Sequence, residues 1–90
     1  MKSEAGVRDE VADVRAIRAI LVQHGRLGSD ANNLPTDGDL YSAGLTSLAT
    51  VNVMLALENH FDIEFPDGML SRKTFTSIES IAEAVAELVG

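Results

Sequence analysis

Apolar residues recur at intervals of three and four in three separate segments of this 90-residue chain. Such spacing places them on one face of an α-helix, whereas a half-buried β-strand would alternate apolar and polar residues. The segments run from about Glu4 to Gly25, from Ser47 to about His60, and from Thr76 nearly to the C-terminus. The sequence therefore predicts an all-α fold, a small three- to four-helix bundle in which the fourth helix is only a short turn.

A long amphipathic helix is predicted for the first segment. Charged residues separate its valines and isoleucines, so one face is apolar and the other is polar. Gly25 supplies the expected end, because glycine adopts the left-handed conformation that closes a helix without steric cost. The predicted buried face consists of Val7, Val11, Val14, Ile17, Ile20 and Leu21.

A long first loop is predicted between residues 26 and 46, where Gly, Ser, Asp, Asn and Pro favour turns. Loops of this length are uncommon inside a compact domain and usually have a function. Several apolar or aromatic side chains are expected to pin this loop against the core. They are Leu27, Leu34, Leu40, Tyr41 and Leu45.

The second helix is predicted to begin at Ser47, directly after the turn residues Gly44 and Thr46. Thr46 is expected to be the N-cap, since a threonine hydroxyl can accept a hydrogen bond from one of the first backbone N–H groups of a helix. After this helix, residues 61–66 are expected to form an extended linker that ends in proline. A short helical turn is expected between residues 67 and 73.

The last helix is predicted from the tetrapeptide Thr76-Ser77-Ile78-Glu79, which matches the capping-box pattern. In a capping box, the side chains at the first and fourth positions each cap a backbone N–H group of the other. The apolar face that follows consists of Ile78, Ile81, Ala82, Val85, Leu88 and Val89.

Size and composition limit the functions open to this chain. Because 90 residues can bury only one modest core, we expect a single domain over residues 1–90 with little room for an enzyme pocket. The absence of cysteine excludes disulfides, thiolate catalysis and cysteine-based zinc sites. A formal charge of −7 repels nucleic acid and anionic lipid. No apolar run approaches the roughly 20 residues of a membrane span, so we expect a cytoplasmic protein.

Residues 40–51, LYSAGLTSLATV, and residues 61–66, FDIEFP, carry a resemblance to a known family. Together they resemble the acyl and peptidyl carrier proteins, and the resemblance extends over roughly residues 34–88 in the same order and spacing. It implies that a phosphopantetheinyl transferase attaches 4′-phosphopantetheine from coenzyme A to Ser47. It also implies that the arm's thiol holds an acyl or aminoacyl group as a thioester, which a non-catalytic protein presents to partner enzymes. A monomer would suit a protein that must visit several enzymes.

The predicted position of Ser47 is physically suited to such an attachment. A serine in the first helical turn lies near unpaired backbone N–H groups and the positive end of the helix dipole, which favour a phosphodiester. A serine in a helix interior would have no free donors nearby.

The sequence departs from the carrier pattern immediately before this serine. Many carriers have aspartate there, whereas this chain has Thr46, and its second helix has no acid before Glu58. Carriers of fatty acid synthesis usually display an acidic stripe on that helix. The departure therefore favours a specialised carrier, with an amino acid loaded by a dedicated ligase as the preferred cargo; fatty acyl, polyketide, sugar-acid and alanyl cargoes remain alternatives.

Two faces are predicted for the second helix. Leu48, Val51, Met54 and Leu55 have helical spacing, which is more typical of core than of cargo contacts. Ala49, Thr50 and Val53 are expected to face outward beside the arm. The predicted partner-binding residues are Thr46, Leu48, Ala49, Thr50 and Val53.

Other functions have weaker support in the sequence. A helical adaptor without a prosthetic group is the main alternative, since composition alone cannot separate it from a carrier. Ser47, His60 and Asp62 supply the residue types of a hydrolytic triad, but three helical turns separate Ser47 from His60. His24 and His60 are isolated, so no metal site is expected. Arg72 and Lys73 form an adjacent basic pair that could help to orient a partner.

Overall fold

The computed structural model describes residues 14–27 and 31–89. The described part of helix α1 comprises residues 14–24. Helix α2 spans Ser47–Phe61, a 3₁₀ turn spans Asp67–Met69, and helix α3 spans Ile78–Val89. These ranges contain no strand, so the predicted all-α bundle is confirmed. The start of α1, with Val7 and Val11, lies outside the described residues, and the single domain over residues 1–90 stays a prediction.

The end of α1 differs from the prediction. The helix stops near Gly25, whose N–H donates to the carbonyl oxygen of Leu21 at 2.8 Å, but the left-handed residue is Arg26, with a φ of 61°. Gly25 is buried, and a Cβ there would lie 2.7 Å from the same oxygen. This glycine is therefore required by close packing rather than by its backbone angle.

A single core collects side chains from every element. Helix α3 contributes Ile78, Ile81 and Val85, which are fully buried against the buried faces of α1 and α2. The predicted loop anchors are confirmed, since Leu27, Leu40 and Leu45 are buried and Leu34 and Tyr41 are half-buried against the core. The buried residues of α1, α2 and the loops are Ile17, Ile20, Leu21, Leu27, Ala31, Leu40, Leu45, Ala49, Val53, Leu57, Phe65 and Phe75.

Polar contacts tie the long first loop to α1 and to the start of α3. Near its start, the Arg18 guanidinium of α1 donates to the carbonyl oxygens of Ala31 and Leu34 at 2.9 and 2.7 Å. Further along, the N–H of Leu40 donates to Thr76 O at 2.7 Å, and the N–H of Glu79 donates to Thr36 O at 2.9 Å. The loop that leads to Ser47 is therefore held against α1 and the start of α3.

Helix α3 is capped one residue later than predicted. The Ser80 N–H donates to Ser77 Oγ, and the Ser77 N–H donates to Ser80 Oγ, both at 3.0 Å. These reciprocal bonds form a capping box on Ser77 and Ser80 instead of Thr76 and Glu79. The backbone N–H of Glu79 instead bonds the loop carbonyl of Thr36, so the tertiary contact decides the position of the cap.

The linker after α2, predicted to be extended, has neither helix nor strand at residues 63–66. Asp62 adopts the left-handed conformation, with a φ of 54°, and ends the helix. The N–H of Phe65 donates to Glu58 Oε2 at 2.8 Å, and the Phe65 ring packs on Phe75 with 5.5 Å between centroids. The predicted short turn is present at Asp67–Met69. These contacts hold the linker against the end of α2 and the core.

Candidate functional site

Ser47 is the first residue of α2 and is exposed to solvent. Thr46 is the N-cap, as predicted: its backbone is extended, with φ −97° and ψ 165°, and its hydroxyl accepts from the N–H of Ala49 at 3.0 Å. The N–H of Thr50 bonds the Thr46 carbonyl at 2.9 Å. A neutral side chain thus performs the capping that starts the helix at Ser47.

The helix start around Ser47 suits an anion. The first backbone N–H groups of a helix have no intrahelical partner, and those of Ser47 and Leu48 precede the capped N–H of Ala49. The first turn of α2 contains no acidic residue. A phosphodiester on Ser47 would therefore experience the positive end of the helix dipole without opposing charge in that turn.

The backbone before Ser47 makes a sharp turn that ends at a buried leucine. Gly44 has a φ of 121°, which glycine adopts far more readily than other residues. The N–H of Leu45 then donates to the Leu40 carbonyl at 3.0 Å, and the Leu45 side chain is buried. Leu45 is anchored in the core two residues before Ser47. This anchor holds the backbone at the start of α2 in place while the Ser47 side chain stays exposed.

A groove of about 350 Å³ opens beside Ser47, and we call it the Ser47 groove. One wall comes from α2 and the other from the segment after the 3₁₀ turn, with Tyr41 at its edge. Its lining residues are Tyr41, Ser47, Thr50, Val51, Met54, Leu70, Ser71, Arg72 and Phe75. The groove combines hydroxyl groups, apolar side chains and one cation.

The side chains of Arg72 and Tyr41 contact each other in this groove. The Arg72 guanidinium carbon lies 4.1 Å from the centroid of the Tyr41 ring, a cation–π geometry. The hydroxyl oxygens of Thr50 and Tyr41 are 3.5 Å apart, and the Thr50 hydroxyl donates to Thr46 O at 2.7 Å. This network links the N-cap of α2 to the basic side chain across the groove.

Asp39 stabilises the turn of residues 39–42, which contains Tyr41 of this network. Its Oδ1 accepts from the N–H groups of Tyr41 at 2.9 Å and Ser42 at 3.3 Å, and its Oδ2 accepts from the Ser42 hydroxyl at 3.1 Å. The Ser42 backbone N–H is the largest cause of a pKa below the usual value for this carboxyl, and the Arg72 charge adds to it. Asp39 therefore orders the backbone that carries the Tyr41 ring.

The predicted faces of α2 are reversed in the structure. Ala49 and Val53, expected to face outward, are only 1% and 0% exposed, so their assignment to a partner surface is wrong. Leu48, Val51 and Leu55, expected in the core, are 73%, 48% and 53% exposed. The exposure of Leu48 is compatible with its other predicted role, in partner binding, which stays a prediction. Of the other residues in these two sets, Thr46 is exposed, and Thr50 and Met54 are half-buried.

The reversal has a clear cause in the sequence. Ala49, Val53 and Leu57 also have helical spacing, so α2 is apolar on both sides and its pattern does not determine which side faces the core. The exposed residues Leu48, Val51 and Leu55 form a continuous row at intervals of three and four, which we call the apolar stripe of α2.

The residues of the rejected triad and metal site can be located in the structure. Ser47 and His60 lie near opposite ends of α2, on the order of 20 Å apart, so no triad forms between them. His24 and His60 line a second cavity, of about 550 Å³, between α1 and α2, together with Asn52 and Asn59. In the part of the chain that the structure describes, no group of three or more His, Cys, Asp or Glu side chains could hold a metal ion.

Comparison with known proteins identifies the family. Residues 15–85, well over half of the chain, match the family described as "Phosphopantetheine attachment site". The chain belongs to the phosphopantetheine-binding carrier proteins. The predicted phosphopantetheine cofactor is thereby confirmed at the level of the family.

Named relatives of this carrier protein include amino-acid carriers. It is 48% identical to an aminoacyl carrier protein of Agrobacterium fabrum over 69 residues, which cover 77% of this chain and 83% of the relative. It is 42% identical to a D-alanyl carrier protein of Streptococcus mutans over 53 residues, 58% of this chain and 67% of that protein.

Solved structures agree with this fold. One similar chain comes from a crystal structure of an engineered Bradyrhizobium japonicum glycine:[carrier protein] ligase complexed with a carrier protein from Agrobacterium tumefaciens and AMP. It shares 45% identity with a TM-score of 0.78, over 81% of this chain and 97% of that one. A solution structure from Agrobacterium tumefaciens shares 44% identity with a TM-score of 0.67, over 82% of this chain and 89% of that one.

The site of this carrier protein fits the cofactor of its family. At Ser47 the structure combines an exposed serine at a helix N-terminus, a first turn without acidic residues and an adjacent groove.

Among the described residues, no helix has both the length and the apolar character needed to cross a membrane.

Proposed function

We propose that Ser47 carries the 4′-phosphopantetheine arm and that the protein holds an amino acid on this arm and presents it to partner enzymes. The observation that carries the proposal is the placement of an exposed serine at the first residue of α2, inside the segment that matches the phosphopantetheine family. The nearby Ser42 is also exposed, but its hydroxyl donates to Asp39 in a turn. Among the serines of residues 14–27 and 31–89, Ser47 alone combines exposure with a position as the first residue of a helix.

The residues of the site accept, orient and support the arm. In the modification, Ser47 Oγ loses its proton and forms a phosphodiester bond, and coenzyme A releases adenosine bisphosphate. The bound arm supplies a terminal thiol, which this cysteine-free chain lacks, and the thiol carries the cargo as a thioester. The helix N-terminus then stabilises the phosphodiester, and Leu45 anchors the backbone behind it. The protein itself catalyses no reaction.

The proposed cargo is an amino acid loaded by a dedicated, ATP-dependent ligase. Similarity to an aminoacyl carrier protein over most of the chain supports this cargo, as does similarity to a carrier solved with a glycine:[carrier protein] ligase and ATP. Alanine is a second candidate, because several D-alanyl carrier proteins match over a shorter segment. The other partners are a phosphopantetheinyl transferase and an enzyme that accepts the amino acid. Because these reactions use coenzyme A and ATP, we place the protein in the cytoplasm.

The apolar stripe of α2 is the proposed docking surface for these partners. Leu48 is the most exposed large apolar residue of the described chain and directly follows Ser47, so any enzyme that reaches the arm passes close to it. Glu58 is the first acid of α2, so contacts near Ser47 would depend on apolar burial more than on charge. Thr46 and Thr50 border the stripe.

Intact-mass measurement after incubation with coenzyme A and a broad-specificity phosphopantetheinyl transferase tests the attachment. We expect a phosphopantetheine increment on the wild type and none on Ser47→Ala, with Ser42→Ala as the matched control that is still modified. An increment on Ser47→Ala would refute the assignment of Ser47. The absence of an increment on the wild type would favour the adaptor function instead.

Loading of the modified protein tests the cargo. The holo protein is incubated with ATP, a glycine:[carrier protein] ligase and each small amino acid in turn, and the thioester is measured by mass. We expect a hydroxylamine-sensitive increment with a small amino acid such as glycine or alanine. An increment only with fatty acids and their ligase would contradict the aminoacyl proposal while leaving the carrier function intact.

A further inference from the structure

Arg72 provides the positive charge of the Ser47 groove. Among the described residues that line this groove, Arg72 alone carries a formal charge, and Ser47 lies on the same lining. The chain as a whole has a formal charge of −7, so a cation beside the attachment serine is opposite in sign to most of its surface. A single arginine at this place would attract the negative phosphodiester at the base of the arm.

The structure holds the Arg72 side chain in position before any ligand arrives. Its guanidinium lies 4.1 Å from the centroid of the Tyr41 ring, which restrains a side chain that would otherwise sample many rotamers. Asp39 in turn orders the Tyr41 backbone through its carboxylate. A guanidinium stacked on a ring keeps its N–H edge free, and this edge can form paired hydrogen bonds with two phosphate oxygens.

The rest of the groove matches the chemistry of the arm beyond its phosphate. Phosphopantetheine continues from the phosphodiester into a dimethyl group and then two amides. Val51, Met54 and Leu70 supply apolar contacts for the dimethyl group. The hydroxyls of Thr50 and Ser71 supply hydrogen-bond partners for the amides. The volume of about 350 Å³ lies near the lower end of the roughly 300–1,000 Å³ of small-ligand sites.

We propose that Arg72, held by Tyr41, binds the phosphodiester on Ser47 and directs the arm into the Ser47 groove when no partner enzyme is bound. This inference rests on the attachment proposed above. Its occupant is the protein's own arm, tethered at one end of the groove. The adjacent Lys73 has the same charge but does not line the groove, so it should have no such role.

NMR spectroscopy of the intact holo protein tests the inference. The ³¹P resonance of the phosphodiester is recorded for the wild type, Arg72→Gln and Lys73→Gln, after mass measurement has confirmed modification of each. We expect Arg72→Gln to shift this resonance and Lys73→Gln to leave it in place. We also expect nuclear Overhauser contacts between the arm's methyl groups and the side chains of Val51 and Met54, and their loss in Arg72→Gln.

A second measurement needs no variant. The Nε–H resonance of Arg72 is compared between the apo and holo wild type, and we expect it to shift on modification. An unchanged Arg72 Nε–H signal would overturn the inference, and so would the same ³¹P position in Arg72→Gln and wild type. If Arg72→Gln slowed only the ligase and left the ³¹P signal in place, Arg72 would be a partner contact instead.

The two proposals fail in different ways. A wild-type protein whose mass does not increase disproves attachment at Ser47 before any NMR spectrum is recorded. A modified wild type with an unperturbed Arg72 disproves only the groove. If the transferase rejects Arg72→Gln, the apo and holo spectra of the wild type still decide the question.

Discussion

Val51 and Val53 are two residues apart on α2 and lie in opposite environments: Val51 is half exposed, and Val53 is completely buried. Val53→Ala would therefore leave a cavity and lower the free energy of unfolding by about 1–3 kcal/mol. Val51→Ala should change it by less than about 0.5 kcal/mol. Urea denaturation followed by circular dichroism measures both, and aminoacylation by the ligase should weaken only in Val51→Ala. A larger loss of stability in Val51→Ala would contradict the orientation of α2.

Arg18 joins α1 to the first loop by donating to two carbonyl oxygens. Arg18→Met keeps much of the side-chain length but leaves both part-buried oxygens without this donor. We expect a loss of roughly 1.5–3 kcal/mol in unfolding free energy, since a charged donor is removed. Arg15→Met is the matched control on the exposed side of the same helix and should change stability little. Equal denaturation midpoints for the two variants would show that Arg18 does not anchor the loop.

Gly44 and Gly68 provide a matched pair of glycines for a test of backbone strain. Gly44 has a φ of 121°, so Gly44→Ala should destabilise the fold by roughly 1–3 kcal/mol. A Cβ on Gly68 would meet nothing within 4 Å, and Gly68 has no positive φ, so Gly68→Ala should be neutral or stabilise by about 0.4–1 kcal/mol. Thermal denaturation compares the two. A destabilised Gly68→Ala beside a stable Gly44→Ala would contradict the turn before Ser47.

Asp39 makes stability depend on pH in a defined direction. The hydrogen bond from the Ser42 N–H, helped by the Ser42 hydroxyl, the Tyr41 N–H and the Arg72 charge, holds its pKa below the ordinary value of 3.8. A carboxyl with a lowered folded-state pKa stabilises the fold above the unfolded pKa, and this contribution is lost as the pH falls through the folded value. Wild type should therefore exceed Asp39→Asn in stability at neutral pH.

Urea midpoints at neutral pH and below pH 3.8 check this dependence on Asp39. The difference between wild type and Asp39→Asn should shrink at the lower pH. Asp37→Asn is the control, because Asp37 accepts none of the three hydrogen bonds to Tyr41 and Ser42. A difference that grows as the pH falls would show that the sign of the effect is wrong.

Local chemistry was sufficient to predict the start of α2. The Thr46 hydroxyl accepts from the N–H group three residues later, so the cap and the helix that begins at Ser47 follow from adjacent residues. Short stretches of sequence likewise predicted the approximate end of that helix, the linker after it and the anchors of the first loop. The role of Ser47 as the attachment point rests on the same local pattern and stays a prediction.

The sequence predicted the capping residue at one end of two helices incorrectly. The bond from the Glu79 N–H to Thr36 accompanies a capping box on Ser77 and Ser80, one residue later than the pattern indicated. At the end of α1, the left-handed conformation falls on Arg26 and not on Gly25, where a Cβ would lie only 2.7 Å from the carbonyl oxygen of Leu21.

The sequence by itself determined α2, α3, the described part of α1, the loop anchors and the family, because periodicity, caps and turns act between residues that are close in the chain. Only the tertiary structure decided which side of α2 faces the core, since both sides are apolar and the choice depends on what packs against them. It also brought Arg72 over Tyr41, far apart in the chain, and so formed the groove beside Ser47. Such contacts depend on how the whole chain packs, which no local pattern specifies.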